Sequence, residues 1–184
     1  IGTRSIVGTV GYREGTTFHV VAQYIKEHET RAMLDGQIHD IAQVAEAIKE
    51  IKEELESSLS MKLNEVCIAA AGRVLKTIRK KADYEFGTET VVNEEHVYSL
   101  DMLGVEKAYE EIREETKGEH GQYYCVGYSV IQYYLNDYSI SKLDDHKATK
   151  IGVELIATFL PDEVVDGLYS AVENSGLIVN NLTL

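Results

Sequence analysis

The chain has 184 residues, of which 44% are hydrophobic and 27% charged, and its formal net charge is -13. This length and composition predict one ordinary domain or two small ones with a packed core, and they exclude general disorder. The acidic balance argues against nucleic acid and anionic membrane surfaces as direct partners.

The first predicted elements are short, β-branched strands. Ser5–Gly11 is punctuated by glycine and typical of a strand, and a turn signal in residues 12–17 separates it from a second strand at Phe18–Lys26. A third short strand is expected around Thr30–Met33, ended by Asp35-Gly36. The chain begins inside this strand-and-turn pattern, so we expect it to be a piece of a longer protein.

A helix is predicted to begin after Asp40, a good N-cap residue, with Gln43 completing a capping-box pattern. Its apolar residues recur every three or four positions and define one face: Ile41, Val44, Ile48, Ile51, Leu55 and Leu59. The next apolar run, Val66–Ala71, lacks alternation, which predicts a strand buried on both faces of a partly parallel, mixed sheet.

The middle of the chain has its own pattern and predicts a small α+β unit. It begins with the basic stretch Arg73–Lys81, followed by a helix at Glu94–Lys117 in which Gly104 indicates a possible break. Gln122–Asn136 is a tyrosine-rich strand or hairpin, and residues 137–146 are loop-like.

The last part predicts strand, helix and strand. Lys150–Phe159 is typical of a buried strand, and Pro161 fits the first turn of a helix that stops at Ser175-Gly176. Leu177–Leu184 begins a further apolar strand, whose exposed edge favours self-association.

The opening loop is the one segment with a chemical interpretation. In Gly2, Thr3, Arg4 and Ser5, small residues let backbone N–H groups approach a phosphate, two hydroxyls add hydrogen bonds, and Arg4 adds charge. An ordinary hairpin turn explains the same residues without a ligand.

Cysteines and histidines predict no metal site. Cys67 and Cys125 lie in apolar stretches without partner spacing, so we expect buried free thiols in a reducing compartment. The six histidines have no ligand spacing and are expected at the surface: His19, His28, His39, His96, His120 and His146.

Two surface features keep two interpretations each. The basic stretch Arg73–Lys81 could meet an acidic partner, or it could protect a strand edge. The tyrosines of Gln122–Asn136 could form a docking surface, or they could pack on the preceding helix.

The order of elements resembles the first half of an actin-like ATPase, and in particular the bacterial cell-division protein FtsA family. The resemblance rests on the opening Ile1–Ser5, on the helix that leads into Glu65–Gly72, on Gly127–Ile140, and on Lys150–Leu184. It implies an actin-like, ribonuclease H-like α/β half-domain with a mixed sheet, interrupted by a small SHS2-like subdomain. Residues 1–72 and 150–184 would form part of subdomain 1A, and residues 73–149 would form the inserted subdomain 1C.

The same resemblance implies a function. Members bind ATP with magnesium, polymerise head to tail, and link the tubulin-like division protein to the cytoplasmic face of the membrane through a C-terminal helix. The inserted subdomain contacts other division proteins. Gly2, Thr3, Arg4 and Ser5 would be the phosphate loop. Because one lobe supplies only one such loop, we expect this chain alone to bind ATP weakly or not at all.

Two alternatives stay open. The same layout occurs in pilus-assembly and chaperone-like actin-fold ATPases, some of which use nucleotide only to set a conformation. The middle unit could also act as a docking module that needs no nucleotide.

Overall fold

A computed structural model describes residues 1–29, 31–69, 75–118 and 121–183. They divide into two compact units, unit 1 (Ile1–Leu75 and Pro161–Leu184) and unit 2 (Lys76–Leu160). In chain order the elements are β1 Ser5–Glu14, β2 Thr17–Glu27, β3 Met33–Leu34, β4 Gln37–Ile38, α1 Ile41–Leu59, β5 Glu65–Ala69, β6 Lys76–Val91, α2 Glu94–Glu115, β7 Tyr123–Leu135, β8 Tyr138–Ile140, β9 Lys147–Pro161, α3 Asp162–Asn174 and β10 Ile178–Thr183.

Unit 1 begins with the predicted hairpin. β1 and β2 pair antiparallel from Ser5 opposite Glu27 to Glu14 opposite Thr17, with an irregularity between Val10 and Gly11. The predicted third strand does not extend this hairpin. Met33–Leu34 instead pairs with Gln37–Ile38, because Asp35 and Gly36 both have positive φ and turn the chain back at once. Thr30 lies outside the described residues.

The predicted helix α1 is confirmed, including its start. The Asp40 carboxylate accepts a hydrogen bond of 3.0 Å from the backbone N–H of Gln43, which satisfies one of the free donors of the first turn. The apolar face is buried at Val44, Ile48, Ile51 and Leu55, whereas Ile41 at its start is exposed. Gly8 of β1 lies so close to this face that a β-carbon there would be 2.3 Å from Ile51 Cγ2. Glycine is therefore the residue that lets β1 lie on α1.

A second, parallel pair of strands completes the described sheet structure of unit 1. β5 pairs with β10 from Glu65 opposite Ile178 to Ala69 opposite Thr183. Helix α3 precedes β10 in the chain; it begins after Pro161 and ends before Gly176, as predicted. Gly176 has a φ of 78°, a conformation that glycine adopts without strain.

The prediction that Val66–Ala71 is buried on both faces is wrong for its described part. Ile68 is buried, but Cys67 and Ala69 are exposed, and Ala70 and Ala71 lie outside the described residues. The expectation of a buried thiol at Cys67 fails for the same reason: β5 has a partner strand on one side only among the described residues. The thiol of Cys125 in unit 2 is half-buried, and burial raises its pKa.

Unit 2 is a four-stranded sheet in the order β6, β9, β7, β8, with α2 packed on one face. β6 and β9 pair antiparallel from Lys76 opposite Phe159 to Val91 opposite Lys147. α2 starts with a capping box between Asn93 and His96. The central core residues between the sheet and the helix are all fully or nearly fully buried: Leu100, Ala108, Ile112, Ile151, Val153, Leu155, Ala157 and Phe159.

Gly104 does not break α2. The helix runs through it without interruption, and a β-carbon at this position would be 2.6 Å from Leu155 Cδ2. The glycine is a packing residue that lets α2 approach β9, so its helix-breaking tendency is outweighed by tertiary contact.

Two predicted boundaries differ from the structure. Lys150–Phe159, which the sequence assigned to the flanking part of subdomain 1A, belongs to β9 in the centre of the unit 2 sheet. An apolar run indicates a buried strand without indicating its partner strand. The predicted loop 137–146 contains β8, which follows a tight turn at Asn136 and Asp137, both with positive φ.

Candidate functional site

The candidate phosphate loop is the segment Gly2–Ser5, which leads into β1. The backbone N–H of Gly2 donates a hydrogen bond of 3.0 Å to the carbonyl of Ser5. Only Thr3 and Arg4 lie between these two residues, so the bond closes a tight two-residue turn. A β-carbon on Gly2 would be 3.2 Å from the Ser5 carbonyl oxygen, which is tight enough to disturb the closure.

His28, which follows β2, clamps this loop. Its backbone N–H donates to the carbonyl of Arg4 at 3.0 Å, and its Nε2 lies 3.1 Å from the carbonyl oxygen of Gly2. A carbonyl oxygen can only accept, so this contact requires the proton on Nε2. The expectation of a scattered surface histidine missed this role, because His28 and Gly2 are brought together only by the β1–β2 register.

The charge at the loop is partly neutralised. The guanidinium of Arg4 lies 3.2 Å from the carboxylate of Glu27, and the two side chains are 85% and 67% exposed. An exposed pair of this kind is weak, so an incoming anion can compete for Arg4, although the Glu27 carboxylate opposes it. This pairing could not be predicted from the sequence, since the two residues are neighbours only across the hairpin.

The loop retains groups that can bind a phosphate. The hydroxyls of Thr3 and Ser5 make no hydrogen bond to the part of the chain that the structure describes, and Thr3 is exposed. Together with Arg4 they offer short hydroxyl donors and one cation on a small-residue turn. Within the described residues, no group of three or more His, Cys, Asp or Glu is arranged to hold a metal ion.

The basic stretch at the start of β6 is used inside unit 2. Arg79 Nε donates to the Glu154 carboxylate at 2.7 Å, Lys81 Nζ lies 3.5 Å from the same carboxylate, and Lys80 is paired with Glu111. The hydrogen bond from Arg79 holds the pKa of Glu154 below its ordinary value. These pairs support the interpretation of a protected strand edge, while Arg73 lies outside the described residues.

Several tyrosines of β7 make hydrogen bonds within unit 2. Tyr133 Oη donates to the carboxylate of Asp101 at 3.1 Å, and Tyr128 Oη lies 3.4 Å from the same group. Tyr134 Oη donates to Glu154 at 3.1 Å. Internal contacts thus account for these three, whereas Tyr124 is 46% exposed.

Asp101 is a buried carboxyl group on α2 that faces these tyrosines. Burial raises its pKa above the ordinary aspartate value, and the hydrogen bonds from Tyr133 and Tyr128 oppose part of that rise. The same burial, with the nearby carboxylate, raises the pKa of Tyr133. Because its folded-state pKa is raised, folding favours the protonated form of the Asp101 carboxyl group.

Comparison with known proteins supports the fold and leaves the family open. No protein-family profile matches the sequence, and no curated protein matches it. Among solved structures, the chain is similar to a chain of the PilM-PilN type IV pilus biogenesis complex, with a TM-score of 0.62 and 13% identity. The match covers 100% of this chain and 45% of that one.

At this identity the likeness shows the fold alone. The chain has an actin-like fold of α/β type, as the order of its elements predicted. It spans less than half the length of the structure that it matches. None of the helices in the described residues is long and apolar enough to cross a bilayer.

Proposed function

We propose that this chain forms part of an actin-like ATP-binding protein whose nucleotide state controls its assembly with other proteins. The observation that carries the proposal is the actin-like fold of the whole chain together with the closed Gly2–Ser5 turn at its start. Proteins with actin-like folds have several functions, so the fold alone does not define the activity. The chemistry of the loop is what supports nucleotide binding in this proposal.

In this proposal the Gly2–Ser5 loop takes one part of the triphosphate. Thr3 and Ser5 hydroxyls donate to phosphate oxygens, and Arg4 exchanges its exposed pairing with Glu27 for a phosphate. In this proposal magnesium is bound together with the ATP. A second lobe would complete the site, so this chain alone is expected to bind ATP weakly and to be inactive as an ATPase.

The division role is the leading form of the proposal. The resemblance to FtsA on Ile1–Ser5, Glu65–Gly72 and Gly127–Ile140 supports a protein that polymerises and links the tubulin-like division protein to the inner face of the cell membrane. A C-terminal helix would make the membrane contact. The net charge of -13 agrees with protein partners better than with nucleic acid.

A role in type IV pilus assembly is the second form, and one observation favours it. The similar solved structure is a complex of PilM with PilN in pilus biogenesis. The two forms share the nucleotide site and differ in partner, so binding of the tubulin-like protein or of a pilus-assembly protein separates them.

Titration calorimetry with Mg-ATP tests the shared part, using the longest natural protein that contains this chain. We expect micromolar or tighter binding, lost on Gly2→Val and weakened roughly tenfold on Thr3→Ala, because each change removes a close approach or a donor. Thr16→Ala is the matched control, since Thr16 is an exposed threonine in the turn at the other end of β1.

The outcomes separate the candidates. Loss of binding in the loop variants, with Thr16→Ala unchanged, supports the phosphate loop. Equal binding by all four proteins contradicts the loop. If no protein binds nucleotide but the exposed Tyr124 is needed for capture of a purified partner, the docking-module alternative is supported instead.

A further inference from the structure

Two backbone carbonyl groups of the Gly2–Ser5 loop point at one residue, His28. The Gly2 carbonyl oxygen lies 3.1 Å from His28 Nε2, and the Arg4 carbonyl accepts a hydrogen bond of 3.0 Å from the His28 backbone N–H. These carbonyls belong to the first and the last peptide group inside the loop. A residue outside the loop therefore orients most of its backbone.

This orientation decides where the backbone donors of the loop point. In a trans peptide group the C=O and the N–H point in opposite directions, so the N–H groups of Thr3 and Ser5 point away from His28. The Thr3 N–H has no acceptor in the part of the chain that the structure describes. Backbone N–H groups that are turned outwards in this way are the donors with which small-residue loops bind anions.

His28 is itself held in place by the end of the β1–β2 hairpin. It is half-buried and extends the ladder by one residue beyond β2. Two residues earlier, Lys26 Nζ lies 2.9 Å from the carboxylate of Glu50 on α1. Side chains two residues apart on an extended strand share a face, so His28 lies on the side of the hairpin that packs on α1. The helix thus anchors the strand end that carries the donor.

The preceding residue, Glu27, contacts the loop in a different way. Its carboxylate lies 3.2 Å from the guanidinium of Arg4, at the surface. Glu27 therefore touches a side chain of the loop, whereas His28 holds its peptide groups. The two neighbours provide a comparison between loss of any loop contact and loss of the contact that orients the backbone.

We propose that His28 is a positioning residue for the phosphate of a bound ATP. Its two N–H groups hold the loop carbonyls on one side, so that the N–H groups of Thr3 and Ser5 meet the phosphate on the other side. His28 does not touch the phosphate and acts only through these peptide groups. The inference rests on the proposed function and adds to it a residue outside the loop that sets the affinity of the loop.

Titration calorimetry with Mg-ATP on the longest natural protein that contains this chain compares His28→Leu with His28→Gln. Leucine removes the Nε2 donor, whereas glutamine carries an amide N–H at a similar distance from the backbone. Affinity should fall roughly tenfold in His28→Leu, which is the effect of one lost hydrogen bond. In His28→Gln it should stay within roughly threefold of the unsubstituted protein.

Two further variants serve as matched controls. His19→Leu removes a histidine near the other end of β2, where the ring stacks on Tyr12, and should leave binding unchanged. Glu27→Gln removes a loop contact without affecting the loop carbonyls. It should bind ATP at least as tightly as the unsubstituted protein, because Arg4 loses a competitor for the phosphate.

Hydrogen exchange without nucleotide gives a measurement that does not depend on ATP. The Gly2 N–H donates to the Ser5 carbonyl, so exchange in residues 2–5 reports whether the loop stays closed. It should be roughly tenfold faster in His28→Leu than in His28→Gln or the unsubstituted protein. Residues 44–55 of α1 should stay equally protected in all three and report that unit 1 is folded.

The outcomes separate this inference from the proposed function. ATP binding that is lost in Gly2→Val but kept in His28→Leu would overturn the role of His28 and leave the phosphate loop in place. Equal loss of affinity in His28→Leu and His28→Gln would overturn it too, because the ring shape and not the donor would then matter. Faster exchange in α1 of His28→Leu would make His28 a structural residue instead. Absence of ATP binding by the unsubstituted protein would overturn both proposals.

Discussion

In unit 2 a helix covers one face of a continuous four-stranded sheet, whereas the described strands of unit 1 form separate pairs that line an apolar groove. In unit 2, α2 buries one face of the sheet, and Glu154 is held by Arg79, Lys81 and Tyr134. In unit 1, β1 and β5 have one neighbour each among the described residues, and Val7, Phe18 and Ile25 are exposed. Unit 2 thus has one continuous sheet with a helix on it, whereas the described strands of unit 1 form separate pairs that are not hydrogen-bonded to each other.

The largest expected effect compares one residue type in both units. Phe159 is fully buried in unit 2 and contacts Tyr109 edge to face, whereas Phe18 of β2 is 60% exposed. Phe159→Ala should lower the free energy of unfolding by about 3–5 kcal/mol through lost burial and a cavity. Phe18→Ala should change it by less than about 0.5 kcal/mol. Urea unfolding of both variants measures this, and similar losses would contradict the contrast between the units.

The next effect concerns the buried carboxyl group of unit 2. Asp101→Ala removes the acceptor of two tyrosine hydroxyls, Tyr128 and Tyr133, and should cost about 1–3 kcal/mol of unfolding free energy. Asp101→Asn keeps an acceptor oxygen and removes the buried charge, so it should cost less at pH 7. Thermal unfolding of the two variants tests the order, and a larger loss for Asn would refute it.

The sequence predicted the local secondary structure better than it predicted which elements pack or pair with one another, and three positions explain why. Asp40 and the apolar spacing that follows it define α1 through neighbours in the sequence, so that prediction was confirmed. Gly104 was interpreted as a helix break because its reason, Leu155, lies on a distant strand. Cys67 was expected to be buried because it lies in an apolar run. Such a run does not indicate whether a strand pairs on both sides, and Cys67 is exposed.

The candidate site followed the same rule. The residues of the Gly2–Ser5 loop were named from their chemistry, and that assignment stays a prediction. Its contacts with His28 and Glu27 could not be named, since they depend on the register of the β1–β2 hairpin. The unit to which Lys150–Phe159 belongs could not be predicted either, because a pattern that indicates a buried strand does not indicate the sheet in which the strand lies.

Each unit also contains a carboxylate whose pKa is lowered by hydrogen bonds, so the stability of each unit can be tested as a function of pH. Hydrogen bonds from Arg79 lower the pKa of Glu154 in unit 2, and those from the Leu63 backbone and Lys62 lower the pKa of Glu56 in unit 1. A lowered folded-state pKa contributes stability above the ordinary carboxyl value, and this contribution is lost as pH falls through the folded value.

Glu154→Gln should therefore flatten the loss of stability between pH 7 and pH 3, and Glu56→Gln should do so in unit 1. Urea midpoints across this range, followed by signals from each unit, provide the measurement. Glu110→Gln on the exposed face of α2 is the control and should leave the profile unchanged. A Glu154→Gln profile that matches that of the unsubstituted protein would disprove the assignment.

The smallest expected effect lies at the candidate loop. Arg4→Gln breaks only the exposed pair with Glu27, so it should change the unfolding free energy by at most about 0.5 kcal/mol. The same variant should weaken Mg-ATP binding if Arg4 contacts phosphate. Parallel thermal unfolding and calorimetry separate the two effects, and a large stability loss would identify Arg4 as a structural residue.

Hydrogen exchange across the unsubstituted 184-residue chain tests the contrast between the units most directly. The account predicts slow exchange in residues 151–159 of β9 and 100–112 of α2, where every strand or helix neighbour is supplied. It predicts exchange faster by roughly tenfold or more in residues 65–69 of β5 and in the β1 amides that point away from β2. Equal protection of β5 and β9 would contradict it, because β5 has a hydrogen-bonded neighbour on one side only among the described residues.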